Sequence, residues 1–170
     1  MNQRNPNSVL TKAALLLTST LTIMSGATIA PSLPTMEDLF SSVSNAENIE
    51  ILIRLVITLP ALFIVIGSPI AGVIVDKLGR KKLLLAGVIF YGFAGASGFL
   101  LNDLPTILIG RAFLGLSVAS VMVSATTLIA DYYIGAARAT FMGLQAAFMG
   151  LGGVIFLSVG GALASASWRY

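Results

Sequence analysis

Charged side chains carry what chemistry this sequence can offer, because the chain has no Cys and no His. The usual zinc ligands, a thiol nucleophile and the commonest general base are therefore missing. No Asp or Glu falls within any of the long apolar segments, so the sequence contains no candidate pair of catalytic carboxylates. We predict no metal site, no cofactor and no enzymatic activity, and nothing in the charge pattern indicates binding to nucleic acid.

Five charged residues gather between Asp76 and Lys82, in the stretch "GVIVDKLGRKKLLL" that lies between two apolar runs. Basic residues in such a gap suffice to orient the chain, which leaves three residues unexplained. Gly72 would permit close helix approach, and Gly79 would permit a tight turn. Asp76 could accept hydrogen bonds from basic neighbours or a helix N-terminus. The pattern therefore indicates a second role besides orientation.

Arg111 lies inside an apolar segment, in "LPTILIGRAFLGL". An arginine near the middle of a membrane-spanning helix costs about 3 kcal/mol on insertion scales. We expect this residue to face a polar cavity between helices, poised over an anionic substrate group or a proton-carrying carboxylate. The alternative is that the long side chain snorkels to the membrane surface, which is our prediction for Arg54, close to the end of its own segment.

The elements that must position these residues are membrane-spanning helices. The chain of 170 residues is 56% hydrophobic and only 10% charged, whereas soluble domains carry about 25% charged residues. Spanning helices need about 20 mostly apolar residues. Five segments qualify and predict an all-α integral membrane protein: residues 13–30, 51–75, 83–101, 105–130 and 139–164.

The basic residues predict the orientation of these helices, since Lys and Arg are retained on the cytoplasmic side. Seven of the ten lie on one side: Arg4, Lys12, Lys77, Arg80, Lys81, Lys82 and Arg138. We therefore place residues 1–12 in the cytoplasm of a multi-pass protein of the cell membrane, and residues 165–170 outside. A cleaved signal peptide at the start is the alternative, but removing it would leave the basic gap at the end of the new first helix.

The stretch from Gly72 to Lys82 resembles the signature loop of the major facilitator superfamily, which reads Gly-x-x-x-Asp-Arg-x-Gly-Arg-Lys/Arg-Lys/Arg between helices two and three. Lys77 replaces the usual arginine, which keeps the charge and loses the planar fork. The segment "LIGRAFLGLSVAS" resembles the helix-four pattern of the family, with Arg111 as its basic residue and Gly115 following. Leu114 stands where a glutamine is often found.

Two further segments resemble drug exporters of this family and also depart from them. The stretch "MSGATIAPSLP" resembles the end of helix one, with Ser25 at a position that is acidic in some exporters. Helix five keeps the glycine spacing of the antiporter signature at Gly143, Gly152 and Gly160, but Phe156 and Leu157 replace its Gly-Pro pair. The final "SWRY" resembles the segment that leads into helix six.

The resemblance implies that residues 13–164 form helices one to five of a twelve-helix transporter, as an incomplete N-terminal six-helix bundle with an inverted three-plus-three repeat. It implies a latch to the C-terminal half of the transporter on the cytoplasmic side, formed by Gly72, Asp76, Lys77, Gly79, Arg80 and Lys81. Asp131 and Arg138 are the expected partners within the chain. Arg111 and Gly115 are the expected cavity and coupling residues.

The implied function is the transport of a small solute by alternating access, with protons as the coupling ion and efflux of drugs or metabolites as the direction. The expected partners are the small-molecule substrate, protons, membrane lipid and the C-terminal half of the transporter. A metabolite symporter or uniporter remains open. So does a different class, a truncated membrane protein that does not transport, or a half-transporter that needs a partner chain.

Overall fold

The computed structural model describes residues 8–43, 49–98 and 103–165. These residues form α-helices joined by short connections and no strand, so the predicted all-α fold is confirmed. A short 3₁₀ turn, Ala30–Ser32, follows the first helix. The α-helices are α1 (Val9–Ala27), α2 (Leu33–Val43), α3 (Ile49–Leu78), α4 (Arg80–Ser97), α5 (Leu104–Tyr132) and α6 (Ala136–Ala164).

Four stretches of the described residues are long and apolar enough to cross a membrane. They are Val9–Asp38, which joins α1 to α2, then Ile51–Leu78, Leu104–Tyr132 and Ala136–Ala164. The predicted segment 83–101 corresponds to α4, whose described part has only 18 residues and begins with three basic ones. Residues 99–102 lie outside the described part. The chain is therefore a multi-pass membrane protein.

The acidic stretch that follows the first predicted segment, 13–30, contains a helix of its own. In α2, Met36 is buried against Ile53 and Val56 of α3 and against Leu104 and Ile107 of α5. The sequence interpretation treated this connection only as a long gap. Leu33 of α2 packs against the same cluster, and burial of these two apolar side chains stabilises the helix against α3 and α5.

The charged stretch between Asp76 and Lys82 is also less of a loop than the sequence suggested. Helix α3 continues through Lys77 to Leu78, and α4 begins at Arg80. Gly79 alone separates the two helices and has φ 90°, a backbone conformation that favours glycine. Asp76 and Arg80 therefore lie on the facing ends of two consecutive helices.

Helix α5 lies at the centre of the bundle, where it packs on α1, α3 and α4. It runs parallel to α3, because Gly67 packs on Leu116 and Ala119 while Ala71 and Val75 pack near Val123. Helix α6 packs along α1 in the same direction, as seen where Gly152 meets Thr20 and Gly160 meets Thr28.

The two ends of the bundle are named here by their arginines. At the Arg111 end, α1, α4 and α6 finish while α3 and α5 begin; at the Arg80 end the reverse holds. The outward faces of α3, α4 and α6 between these ends carry exposed large apolar side chains such as Val65, Phe93 and Leu151. Such faces suit a lipid environment, in which apolar exposure carries no penalty.

Candidate functional site

Arg111 points across the bundle to α1. Its Nη1 donates a hydrogen bond of 2.9 Å to the carbonyl oxygen of Ser25. Ser25 lies in the last turn of α1, which ends at Ala27, and carbonyls in a last turn have no partner within their own helix. The guanidinium thus satisfies one of these carbonyls, and it stands at the negative end of the α1 dipole.

A cavity of about 580 Å³ opens beside this contact, between α1, α4, α5 and α6. Its walls are mainly apolar, with side chains such as Met24, Leu114 and Ile155. The polar residues of its lining are Ser25, Thr28, Tyr91, Ser97 and Arg111, and Arg111 is the only charged one among the described lining residues. A solute in this cavity would therefore meet an apolar surface and one positive charge.

Gly115 lies one turn beyond Arg111 but serves a different contact. It is buried against α3, where a methyl group in place of its hydrogen would come within 2.5 Å of the Pro60 carbonyl oxygen and 2.8 Å of Phe63 Cβ. It does not line the Arg111 cavity. Arg111 and Gly115, which were predicted as one site, therefore have different positions: Arg111 lies at the cavity wall, and Gly115 lies in the packing surface between α3 and α5.

Arg80 joins three helices at the opposite end of the bundle. Its Nε lies 3.0 Å from Oδ2 of Asp131 on α5, and its Nη2 lies 4.0 Å from Oδ1 of Asp76 on α3. The Nε atom is buried and makes no aligned hydrogen bond, so its contact with Asp131 is an ion pair held by charge. The side chains of Arg80, Asp131 and Asp76 are 40%, 46% and 75% exposed.

The remaining residues predicted for the latch lie at this same end. Lys77 and Lys81 are exposed on either side of Gly79, and Arg138 is exposed in the first turn of α6. Among the described residues, no ion pair joins Arg138 to another side chain. Gly72 faces open space, with nothing within 4 Å of where a methyl group would be. Arg80 is therefore the residue through which the predicted Asp76 and Asp131 meet.

A hydrogen bond between α1 and α6 was not anticipated from the sequence. Gln145 Nε2 donates to Ser19 Oγ over 2.8 Å, and Ser19 Oγ in turn donates to the Leu15 carbonyl oxygen. Ser19 is buried and Gln145 is half-buried. A signal was present, because Gln145 is the only amide side chain within the five apolar segments.

Two bacterial proteins align with roughly three-fifths of the chain. The multidrug transporter protein MdtP of Bacillus subtilis is 33% identical over 103 residues, which are 60% of this chain and 19% of MdtP. The quinolone resistance protein NorA of Staphylococcus aureus is 29% identical over 109 residues, which are 64% of this chain and 28% of NorA. The chain spans less than a third of the length of either relative.

The family comparison covers nearly all of the chain. The model of the Major Facilitator Superfamily matches residues 15–170, a range that includes α1 from Leu15 onward, the Arg80 ion pairs, the Arg111 cavity and α6. This is a family of transporters. With the helical bundle described above, this match shows that the chain belongs to the Major Facilitator Superfamily.

Proposed function

We propose that this chain is the N-terminal part of a secondary transporter, which moves a small solute through the Arg111 cavity by alternating access. The observation that carries the proposal is the position of Arg111, whose guanidinium binds a backbone carbonyl of α1 at the wall of a cavity between four helices. The names of MdtP and NorA support multidrug efflux as the direction and class of transport.

The charge distribution supports an orientation in the cell membrane. Lys77, Arg80, Lys81, Lys82 and Arg138 all lie at the Arg80 end. By the positive-inside rule this end, with residues 1–12, is cytoplasmic. The Arg111 cavity then lies in the outer half of the membrane.

The C-terminal half of the transporter is the proposed partner of the Arg80 end. Arg80 ties α3 and α4 to α5 through Asp76 and Asp131. Binding of a partner to this cluster would therefore depend on the relative positions of these three helices. Gly72 of α3 has no neighbour within 4 Å of the position of an added methyl group, so a helix of the partner could pack closely against α3 there. We assign Gly72, Asp76, Lys77, Gly79, Arg80 and Lys81 to this latch.

Proton coupling, in this proposal, draws on a carboxylate from the C-terminal half. Among the described residues, the lining of the Arg111 cavity contains no Asp or Glu. An acid supplied from the other half could pair with Arg111 and exchange a proton during the cycle, since a nearby cation lowers the pKa of a carboxyl.

Transport assays on the full-length protein test the proposal. Membrane vesicles that contain it would be loaded with a quinolone, the class that the name of NorA mentions, and given a proton gradient of either direction. We expect a quinolone flux whose direction depends on the direction of the proton gradient. An uncoupler, which dissipates that gradient, should abolish the flux. Equal flux in vesicles with and without the protein, at verified insertion, across quinolones and other amphipathic solutes would contradict it.

A further inference from the structure

A second hollow lies on the outer side of the bundle, between α4 and α5 near the Arg111 end. It has a volume of about 540 Å³, and three phenylalanine side chains form its sides: Phe90, Phe93 and Phe113. All three are exposed to the surroundings of the bundle. We call this hollow the α4–α5 groove.

The groove and the Arg111 cavity share part of their lining. Ala94, Ser97 and Gly110 belong to both. At this level, only small side chains therefore stand between the lipid-facing groove and the interior cavity. Farther toward the Arg80 end the same two helices close tightly, because a methyl group on Gly87 would lie only 3.1 Å from Ser120 Cβ and from Val121 Cγ2.

The rim of the groove is polar where the groove approaches the end of the bundle. Ser97 Oγ donates to the Ala94 carbonyl oxygen, and Thr106 Oγ1 donates to the Asp103 carbonyl oxygen. Both hydroxyl oxygens can still accept a hydrogen bond. The groove thus combines an aromatic body with a polar edge, and the only charge in the adjoining cavity lining is that of Arg111.

We propose that the α4–α5 groove binds a flat aromatic solute with a neutral or anionic end, taken from the membrane, and passes it between α4 and α5 into the Arg111 cavity. This proposal rests on the proposed transport function. Aromatic rings gain offset or edge-to-face contacts with phenylalanine beyond simple burial. The charge of Arg111 attracts an anionic end and repels a cationic one, which selects among aromatic solutes.

Quenching by brominated lipid tests occupancy of the groove without any transport measurement. The tryptophan of Phe113→Trp would be quenched by brominated acyl chains in the full-length transporter in vesicles, with Trp168 and every tryptophan of the C-terminal half replaced by Phe. We expect 4-phenylbutyrate to relieve this quenching saturably. We expect 4-phenylbutylammonium to require about fivefold higher concentration, because of the nearby positive charge.

Val73→Trp provides the matched control, since Val73 lies on the outward face of α3 with 58% exposure against 50% for Phe113. We expect no saturable relief there, and we expect Arg111→Gln to reduce the difference between the anion and the cation at Phe113→Trp. Phe93→Trp reports on the same groove if Phe113→Trp fails to insert.

Three results would overturn the proposal. Equal relief of quenching at Val73→Trp and Phe113→Trp would mean that the probe only partitions into the bilayer. No relief at either position would mean that the probe does not displace lipid from the groove. If the anion and the cation bound equally well, and Arg111→Gln changed neither, a solute in the groove would not be influenced by Arg111 in the cavity. Because occupancy is read without flux, failure of the transport assay would leave this test intact, and flux without occupancy would overturn the groove alone.

Discussion

Arg111 Nη1 and the carbonyl oxygen of Ser25 are joined by a hydrogen bond of 2.9 Å between residues that are 86 positions apart in the chain. The contact ties the start of α5 to the end of α1 at the wall of the Arg111 cavity. A helix C-terminus carries only about half a unit of negative charge. The contact therefore satisfies the carbonyl but leaves most of the positive charge of Arg111 available at the cavity wall.

The first prediction concerns this arginine. Arg111→Ala in the full-length transporter should abolish transport, because it removes both the charge in the cavity and the donor for the Ser25 carbonyl. A hydrogen bond to a charged group is worth about 1.5–3 kcal/mol, so a lower melting temperature should accompany the loss. Quinolone flux and thermal stability in detergent are the measurements.

Arg54→Ala is the matched control, since Arg54 is exposed near the start of α3 and does not line the Arg111 cavity. It should keep near wild-type flux. Equal and mild effects of the two substitutions would mean that both arginines only anchor their helices at the membrane surface.

The second prediction concerns the ion pairs at the Arg80 end. Asp76→Asn and Asp131→Asn should each reduce transport while membrane levels stay near wild type. Exposed ion pairs contribute only about 0–1 kcal/mol to stability, so their loss should change the conformational cycle more than folding. Flux and the amount of protein in the membrane would be measured together.

Arg80→Gln combined with Asp131→Asn should cost little more than either change alone, because the two side chains act as one contact. Lys82→Gln is the control, since Lys82 lies outside the proposed latch, is exposed and has no ion pair among the described residues. Loss of protein from the membrane instead of activity, or additive effects of the pair, would contradict a role in the latch.

The sequence was informative about helices and less so about their contacts. Long apolar runs and the basic gap predicted the all-α membrane fold, because insertion in lipid depends on length and hydrophobicity. The partner of Arg111 is a backbone carbonyl, which leaves no trace in residue types. The small helix α2 depends on burial of Met36 against α3 and α5, a contact between segments that no single-segment pattern reveals.

The link between Asp76 and Asp131 was predicted only in part. Asp131 and Arg138 were both named as partners of the charged stretch; Asp131 pairs with Arg80, whereas no ion pair joins Arg138 to Asp76 among the described residues. The difference depends on where α5 ends and α6 begins. Tyr133 stacks on Phe141, with ring centroids 4.7 Å apart, and this packing of the connection could not be read from charge.

The third prediction concerns Gly115. Gly115→Ala should destabilise the protein, because its methyl group would come within 2.5 Å of the Pro60 carbonyl oxygen and 2.8 Å of Phe63 Cβ. Overpacking of this kind costs about 1–3 kcal/mol. The measurements are the melting temperature in detergent and the level in the membrane.

Gly143→Ala is the control for Gly115, because nothing lies within 4 Å of the added methyl group. It should leave the melting temperature within about one or two degrees of wild type. If Gly115→Ala were equally neutral, α3 and α5 would not pack as closely as the structure has them.

The fourth prediction concerns the hydrogen bond between Gln145 and Ser19. Ser19→Ala should destabilise the protein by about 1–3 kcal/mol if it leaves the Gln145 amide unpaired in the membrane interior. The double variant Ser19→Ala with Gln145→Leu should recover part of this loss, since no unpaired donor remains. Unfolding in mixed micelles with increasing SDS measures the stability of both variants.

Ser158→Ala is the control for Ser19→Ala, because the Ser158 hydroxyl is exposed and donates only to the Val154 carbonyl oxygen of its own helix. A double variant no more stable than Ser19→Ala would mean that Gln145 finds another partner, and that the contact does not hold α1 against α6.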